Sequence, residues 1–164
     1  MINKEQIDCC FTSDKKWFRY RAAAIIIEDD CVLMASNETV DYFYSVGGGV
    51  HIGETAEEAI IREVFEETGV KYEIDRLAFI HENFFRENSV GSLKGLDCHE
   101  IALYFLMKSR GTQKINCKSY CADGKEFMNW IPISNLENLK AYPSFFTKKL
   151  KKLSGSIEHI VTVE

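Results

Sequence analysis

The chain has 164 residues, of which 46% are hydrophobic and 12% aromatic, and a formal net charge of −5. That size and composition predict one globular domain over residues 1–164 with a sizeable core. The acidic balance, with no basic stripe interleaved with aromatics, excludes a nucleic-acid polymer as partner, and no apolar run approaches membrane-spanning length.

In chain order, residues 19–27, 31–35 and 42–46 read as strands, and Gly47, Gly48 and Gly49 as a turn that exposes a backbone carbonyl. Residues 55–68 read as a helix: no Pro or Gly interrupts it, Thr55 and Glu58 suit a capping box, and Gly69 sits where a C-cap belongs. Residues 72–85 follow as one or two strands, then a polar loop over 86–97 with Gly91 and Gly95. Residues 99–108 alternate as a strand with Ile101, Leu103 and Phe105 on one face. A second polar loop spans 110–125, and a strand covers 127–133. A C-terminal helix is expected from Pro143 through Phe145, Phe146, Leu150 and Leu153 toward Gly155, with an edge strand over 157–163. Strand and helix alternate too little for a doubly wound parallel sheet, so an α/β arrangement of a mixed sheet flanked by helices is preferred.

Six cysteines, Cys9, Cys10, Cys31, Cys98, Cys117 and Cys121, accompany no secretory h-region, so reduced thiols and a cytoplasmic location are expected. No paired C-x2-C spacing supports zinc. His51, His81, His99 and His159 form no H-E-x-x-H pattern.

At about 100° per residue, Glu63, Glu66 and Glu67 lie within roughly 100° of one another, and Ile60, Ile61, Val64 and Phe65 sweep to the opposite side. Ala56 and Ala59, close to the acids, leave room for something other than a side chain. Three carboxylates at i, i+3 and i+4 repel, and a divalent cation removes the repulsion. Oxygen donors favour Mg²⁺ or Mn²⁺, which commonly share their shell with phosphate. Arg62 cannot share the acid strip, and pairs more naturally with Glu54 to orient the loop against the helix.

Together, Gly48, Glu54, Arg62, Glu63, Val64, Glu66, Glu67, Gly69 and Val70 have the spacing G-x5-E-x7-R-E-U-x-E-E-x-G-U, U being aliphatic. Its chance occurrence at a given start is on the order of one in a billion. On this spacing, the Nudix box, the chain resembles a Nudix hydrolase. The resemblance implies an α/β/α sandwich and hydrolysis of a nucleoside diphosphate linked to a group X. It places Mg²⁺ or Mn²⁺ on Glu63, Glu66, Glu67 and the Gly47 carbonyl. The general base is Glu63 in some members and a carboxylate outside the box in others. Here the outside candidates are Glu126, which follows Asp123, Gly124 and Lys125, and Glu100, with Glu126 preferred. Two departures are Val46, where many relatives have Pro, and His51, where many have an acid.

The partner implied is a small nucleotide-type pyrophosphate, with X open among oxidised nucleoside triphosphates, ADP-ribose, dinucleoside polyphosphates, coenzyme A and sugar nucleotides. A homodimer is frequent among relatives. Trp17, Phe18, Tyr20, Tyr42, Tyr44, Phe84 and Phe85 suit base stacking or core packing. Arg19, Arg21 and Arg86 suit phosphate pairing or surface solubility. Lys148, Lys149, Lys151 and Lys152 read foremost as a solvated cationic face. Two rivals to the enzyme are a non-catalytic nucleotide- or metabolite-binding module and a structural domain that keeps the box as a folding device.

Overall fold

The computed structural model describes residues 6–87, 93–116, 120–121 and 124–163. Its elements in order are β1 (Cys10–Ser13), β2 (Lys16–Ile25), β3 (Ile27–Glu28), β4 (Cys31–Asn37), β5 (Phe43–Ser45), β6 (Gly47–Gly49), α1 (Ala56–Thr68), β7 (Ile74–Arg86), β8 (Asp97–Met107), β9 (Tyr120–Cys121), β10 (Gly124–Pro132), a 3₁₀ turn (Ile133–Asn138), β11 (Ala141–Tyr142), α2 (Phe146–Lys149) and β12 (Glu158–Val163). Gly91, Cys117 and Asp123 lie outside the described residues.

The α/β architecture is present, with its strands divided between two mixed sheets. The first runs β1-β2-β8-β7-β12 with β6 on β2, and the second runs β11-β5-β4-β10-β9 with β3 on β4. In the first, β2 lies parallel to β8, and β7 and β8 are antiparallel. Successive residues of β2 enter different cores. Ala23 and Ile25 join Val32, Met34, Phe79, Tyr104 and Phe146, whereas Ala22 and Ala24 join Val46, Val50, Ala59, Ile60 and Val64. That is the period of two expected of a strand packed on both sides.

Five expectations change. The three glycines do not turn: they form β6, with Gly47 opposite Ala23, Gly48 opposite Ala22 and Gly49 opposite Arg21. Side chains rather than strand partners meet the Gly47 N–H and the Gly47 and Gly49 carbonyls, and the chain turns later, near Gly53. Ala56 and Ala59 are buried rather than open, because their small side chains let α1 approach β2 and β6 closely. Ile61 and Phe65, expected on the buried side, are each 47% exposed. The C-terminal helix shrinks to Phe146–Lys149 and excludes Pro143. Phe145, Phe146 and Leu150 are pulled into the core, and Lys148, Lys149, Lys151 and Lys152 at i, i+3 and i+4 oppose further helical turns. Part of the second polar loop is the short strand β9.

Candidate functional site

α1 begins as its sequence dictates. Thr55 accepts from the Glu58 N–H, the Glu58 carboxylate accepts from the Thr55 N–H, and Gly69 closes the helix at φ 67° with its N–H on the Phe65 carbonyl. Glu63 and Glu67 sit on the buried stripe with Ala59, Ile60 and Val64, while the Glu66 side chain is 57% exposed. The acid strip is therefore tilted: two of its carboxylates face β6 and the third faces outward.

Arg62 ties the stripe to the loop before it. Its Nε and Nη2 each donate to Glu54 at 2.9 Å, Nη2 reaches the Gly49 carbonyl at 3.1 Å, and Nη1 reaches Glu63 at 2.5 Å and Glu66 at 3.4 Å. Glu54 also accepts from the His51 N–H at 3.0 Å. The Arg62 guanidinium draws the Glu54 carboxyl down to about 2, so the pair expected between these residues is formed and ionised. His51, standing where an acid was expected, faces Asp8 at 3.4 Å. A carboxylate from the N-terminal segment thus reaches this loop, which no local pattern announces.

Gly48 is required for space. A Cβ there would lie 2.5 Å from a Glu63 carboxylate oxygen, so any other residue displaces that acid. One residue earlier, the Gly47 N–H donates to Glu67 Oε1 at 2.9 Å and the Gly47 carbonyl accepts from Arg21 Nη2 at 3.1 Å. Glu67 Oε2 is buried without a hydrogen-bond partner among the described residues. Burial, reinforced by the neighbouring Glu126 charge, pushes the Glu67 carboxyl up to about 8. Burial also raises Glu63, against the pull of Arg62.

Glu126, at the start of β10, is 8% exposed and accepts from the Tyr44 hydroxyl at 2.7 Å. The fold thus brings Glu126 beside Glu67. Glu100 stands in the middle of β8, where Arg19 Nε and Nη2 both donate to its Oε2 at 2.8 and 2.5 Å. Burial disfavours its charge, but Arg19 and Arg21 outweigh that and hold the Glu100 carboxyl below the ordinary value. Arg19 is therefore spent on a carboxylate, as is Arg86 on Asp97. Between the sheets a small open cleft of about 60 Å³ is lined by Arg21, Tyr44, His81, Asn83, Glu100 and Tyr142, among others. Asn83 and Tyr142 carry no motif signal; Arg21 is betrayed only by its phase, a charge in register with the inward Ala23 and Ile25.

Among the described residues, no three acidic, His or Cys side chains converge as metal ligands. Arg62 holds Glu63, Gly47 holds one oxygen of Glu67, and Glu66 points outward. The donor set nonetheless fits a hard cation: all are oxygens, and the buried Glu67 Oε2 lacks a partner among the described residues.

A model of the NUDIX domain matches residues 17–150, and the chain belongs to the Nudix hydrolase family. It is 37% identical over 81 residues to diphosphoinositol polyphosphate phosphohydrolase 2 of Mus musculus, across 47% of this chain and 45% of that protein. The chain thus matches about half the length of that curated relative. Its fold resembles the MutT protein of Bacillus halodurans, with a TM-score of 0.64 at 16% identity over 88% of this chain and 90% of that one. It also resembles the MutT protein of Methanosarcina mazei Go1, with a TM-score of 0.62 at 16% identity over 85% and 94%.

Proposed function

We propose that the chain hydrolyses a diphosphate bond in a nucleoside diphosphate linked to X, with Mg²⁺ or Mn²⁺ held by Glu63, Glu66, Glu67 and the Gly47 carbonyl. The observation that carries this reading is Glu67 Oε2, a buried acceptor without a partner among the described residues, on the helix that bears Glu63 and Glu66. A bound divalent ion supplies charge neutralisation at the phosphate oxygens and a more acidic water. Arg62 and Glu54 orient Glu63 and the loop, and Arg21 steadies the Gly47 carbonyl. Glu126, next to Glu67 and held by the Tyr44 hydroxyl, is the preferred general base; Glu63 is second. Glu100 is the weakest candidate because Arg19 already engages it.

The name of the mouse relative raises an inositol diphosphate as a second substrate class. A panel of ADP-ribose, sugar nucleotides, dinucleoside polyphosphates, nucleoside triphosphates and a diphosphoinositol polyphosphate, assayed with Mg²⁺ or Mn²⁺ and product identification, decides between them. Glu67→Gln and Glu63→Gln should each cut turnover by at least a hundredfold; wild-type turnover in either rejects those roles. The binding-module reading draws on Arg62 already neutralising Glu63. Tight nucleotide binding without turnover in either metal would establish it.

A further inference from the structure

Strand register sorts the first sheet into two faces. On the face toward the second sheet, an apolar run of Ala23, Phe79, Ala102 and Tyr104 gives way toward one end to Arg19, Arg21, His81, Asn83 and Glu100. Asn83 and Arg19 both stand opposite Glu100. Tyr44 and Tyr142 line the same cleft from the second sheet, and Tyr42 meets both edge-on, with ring centroids 6.3 and 5.3 Å away. Aromatic walls over a polar floor suit a planar ring.

Two polar atoms of this floor lack partners among the described residues. Both Arg19 bonds end on Glu100 Oε2, which leaves Oε1 as an acceptor on a side chain only 5% exposed. Arg21 spends Nη2 on the Ser45 and Gly47 carbonyls, and its buried Nε–H has no acceptor. Buried donors are nearly always paired, so the unmet Arg21 Nε–H, in a cleft that Glu100 also lines, marks where a ligand completes the network. A single arginine already bound to two carbonyls, beside an anionic glutamate, is a poor match for a ring bearing many phosphates.

We propose that this cleft reads a planar ring through a lactam edge, an N–H next to a C=O as in guanine or uracil. Glu100 Oε1 accepts from the ring N–H, Arg21 Nε donates to the ring carbonyl, and Tyr44 and Tyr142 flank the ring. The inference rests on the nucleotide reading above, because Arg21 also contacts the Gly47 carbonyl and so connects the ring site to the box carboxylates.

Calorimetry with the full chain in EDTA tests it without turnover, using GMP, UMP, AMP and myo-inositol hexakisphosphate as probes. GMP and UMP should bind at least tenfold more tightly than AMP or the inositol phosphate. In Glu100→Gln the amide oxygen should stay with Arg19 and turn its NH₂ into the cleft, so the preference for GMP over AMP should fall about tenfold while AMP binding, a check on folding, is retained. Tyr142→Ala should weaken GMP, UMP and AMP alike. Equal binding of GMP and AMP, tighter binding of the inositol phosphate, or an unchanged preference in Glu100→Gln overturns the proposal. GMP selectivity without hydrolysis of any nucleotide diphosphate upholds it while rejecting the proposed reaction; hydrolysis with no base preference in binding does the reverse.

Discussion

Glu67 occupies a place that α1 otherwise gives to Ala59, Ile60 and Val64. With its carboxyl raised from an ordinary 4.5 to about 8 by burial and by Glu126, the folded chain holds a proton there that the unfolded chain has released. The folded state thus binds more protons between those two values, and its stability falls as pH rises through that window. In EDTA, urea midpoints should decline from pH 5 to pH 8, and Glu67→Gln should flatten the decline; an identical slope in the variant would exclude Glu67 as its source. A neutral amide of the same shape should leave the midpoint near pH 5 almost unchanged.

At the scale of elements, α1 is set by its ends. Thr55→Ala removes a reciprocal cap and should cost about 1 kcal/mol, read as a lower denaturant midpoint with unchanged slope. Gly69→Ala should cost at least about 1–2 kcal/mol, because φ is 67° and a Cβ would lie 2.3 Å from the Asn116 carbonyl oxygen. Glu28 of β3 accepts from the Arg110 N–H at 2.6 Å, the Gly111 N–H at 3.0 Å and the Ser109 hydroxyl at 2.7 Å. Burial opposes its charge, but these donors outweigh burial and hold the carboxyl below its ordinary value. The stability it contributes is present above the unfolded value of 4.5 and is lost as pH falls through the folded one. Glu28→Gln should therefore destabilise by about 1–3 kcal/mol at pH 7 and by progressively less in acid; equal loss at both pH values would refute the account.

Across the whole molecule, β7 and β8 are 13 and 11 residues long, whereas β5 and β11 have three and two. β5 and β11 therefore leave one end of the first sheet uncovered, and the cleft lies there. A divalent ion that binds the folded chain alone stabilises it by about 2.7 kcal/mol at one hundred times its Kd, or roughly 5–10 °C for a chain of this size. Scanning calorimetry at pH 8 should show that rise with Mg²⁺ or Mn²⁺ in the wild type and little of it in Glu63→Gln or Glu67→Gln. No rise in the wild type would remove the acid stripe as a metal site.

Most strands, the helix with both caps, and the pairing of Arg62 with Glu54 were legible in the sequence because they depend on neighbours within about eight residues. Caps, turns and periodicity are local physics. The tertiary structure alone decided which side of α1 is buried, exposing Ile61 and Phe65 while burying Ala56 and Ala59. It also cut the C-terminal helix to four residues, brought the Glu126 charge near enough to act on Glu67, and gave Glu100 to Arg19, 81 positions away. Those outcomes depend on strand register and on competition for buried space, and neither is contained in any short stretch of chain.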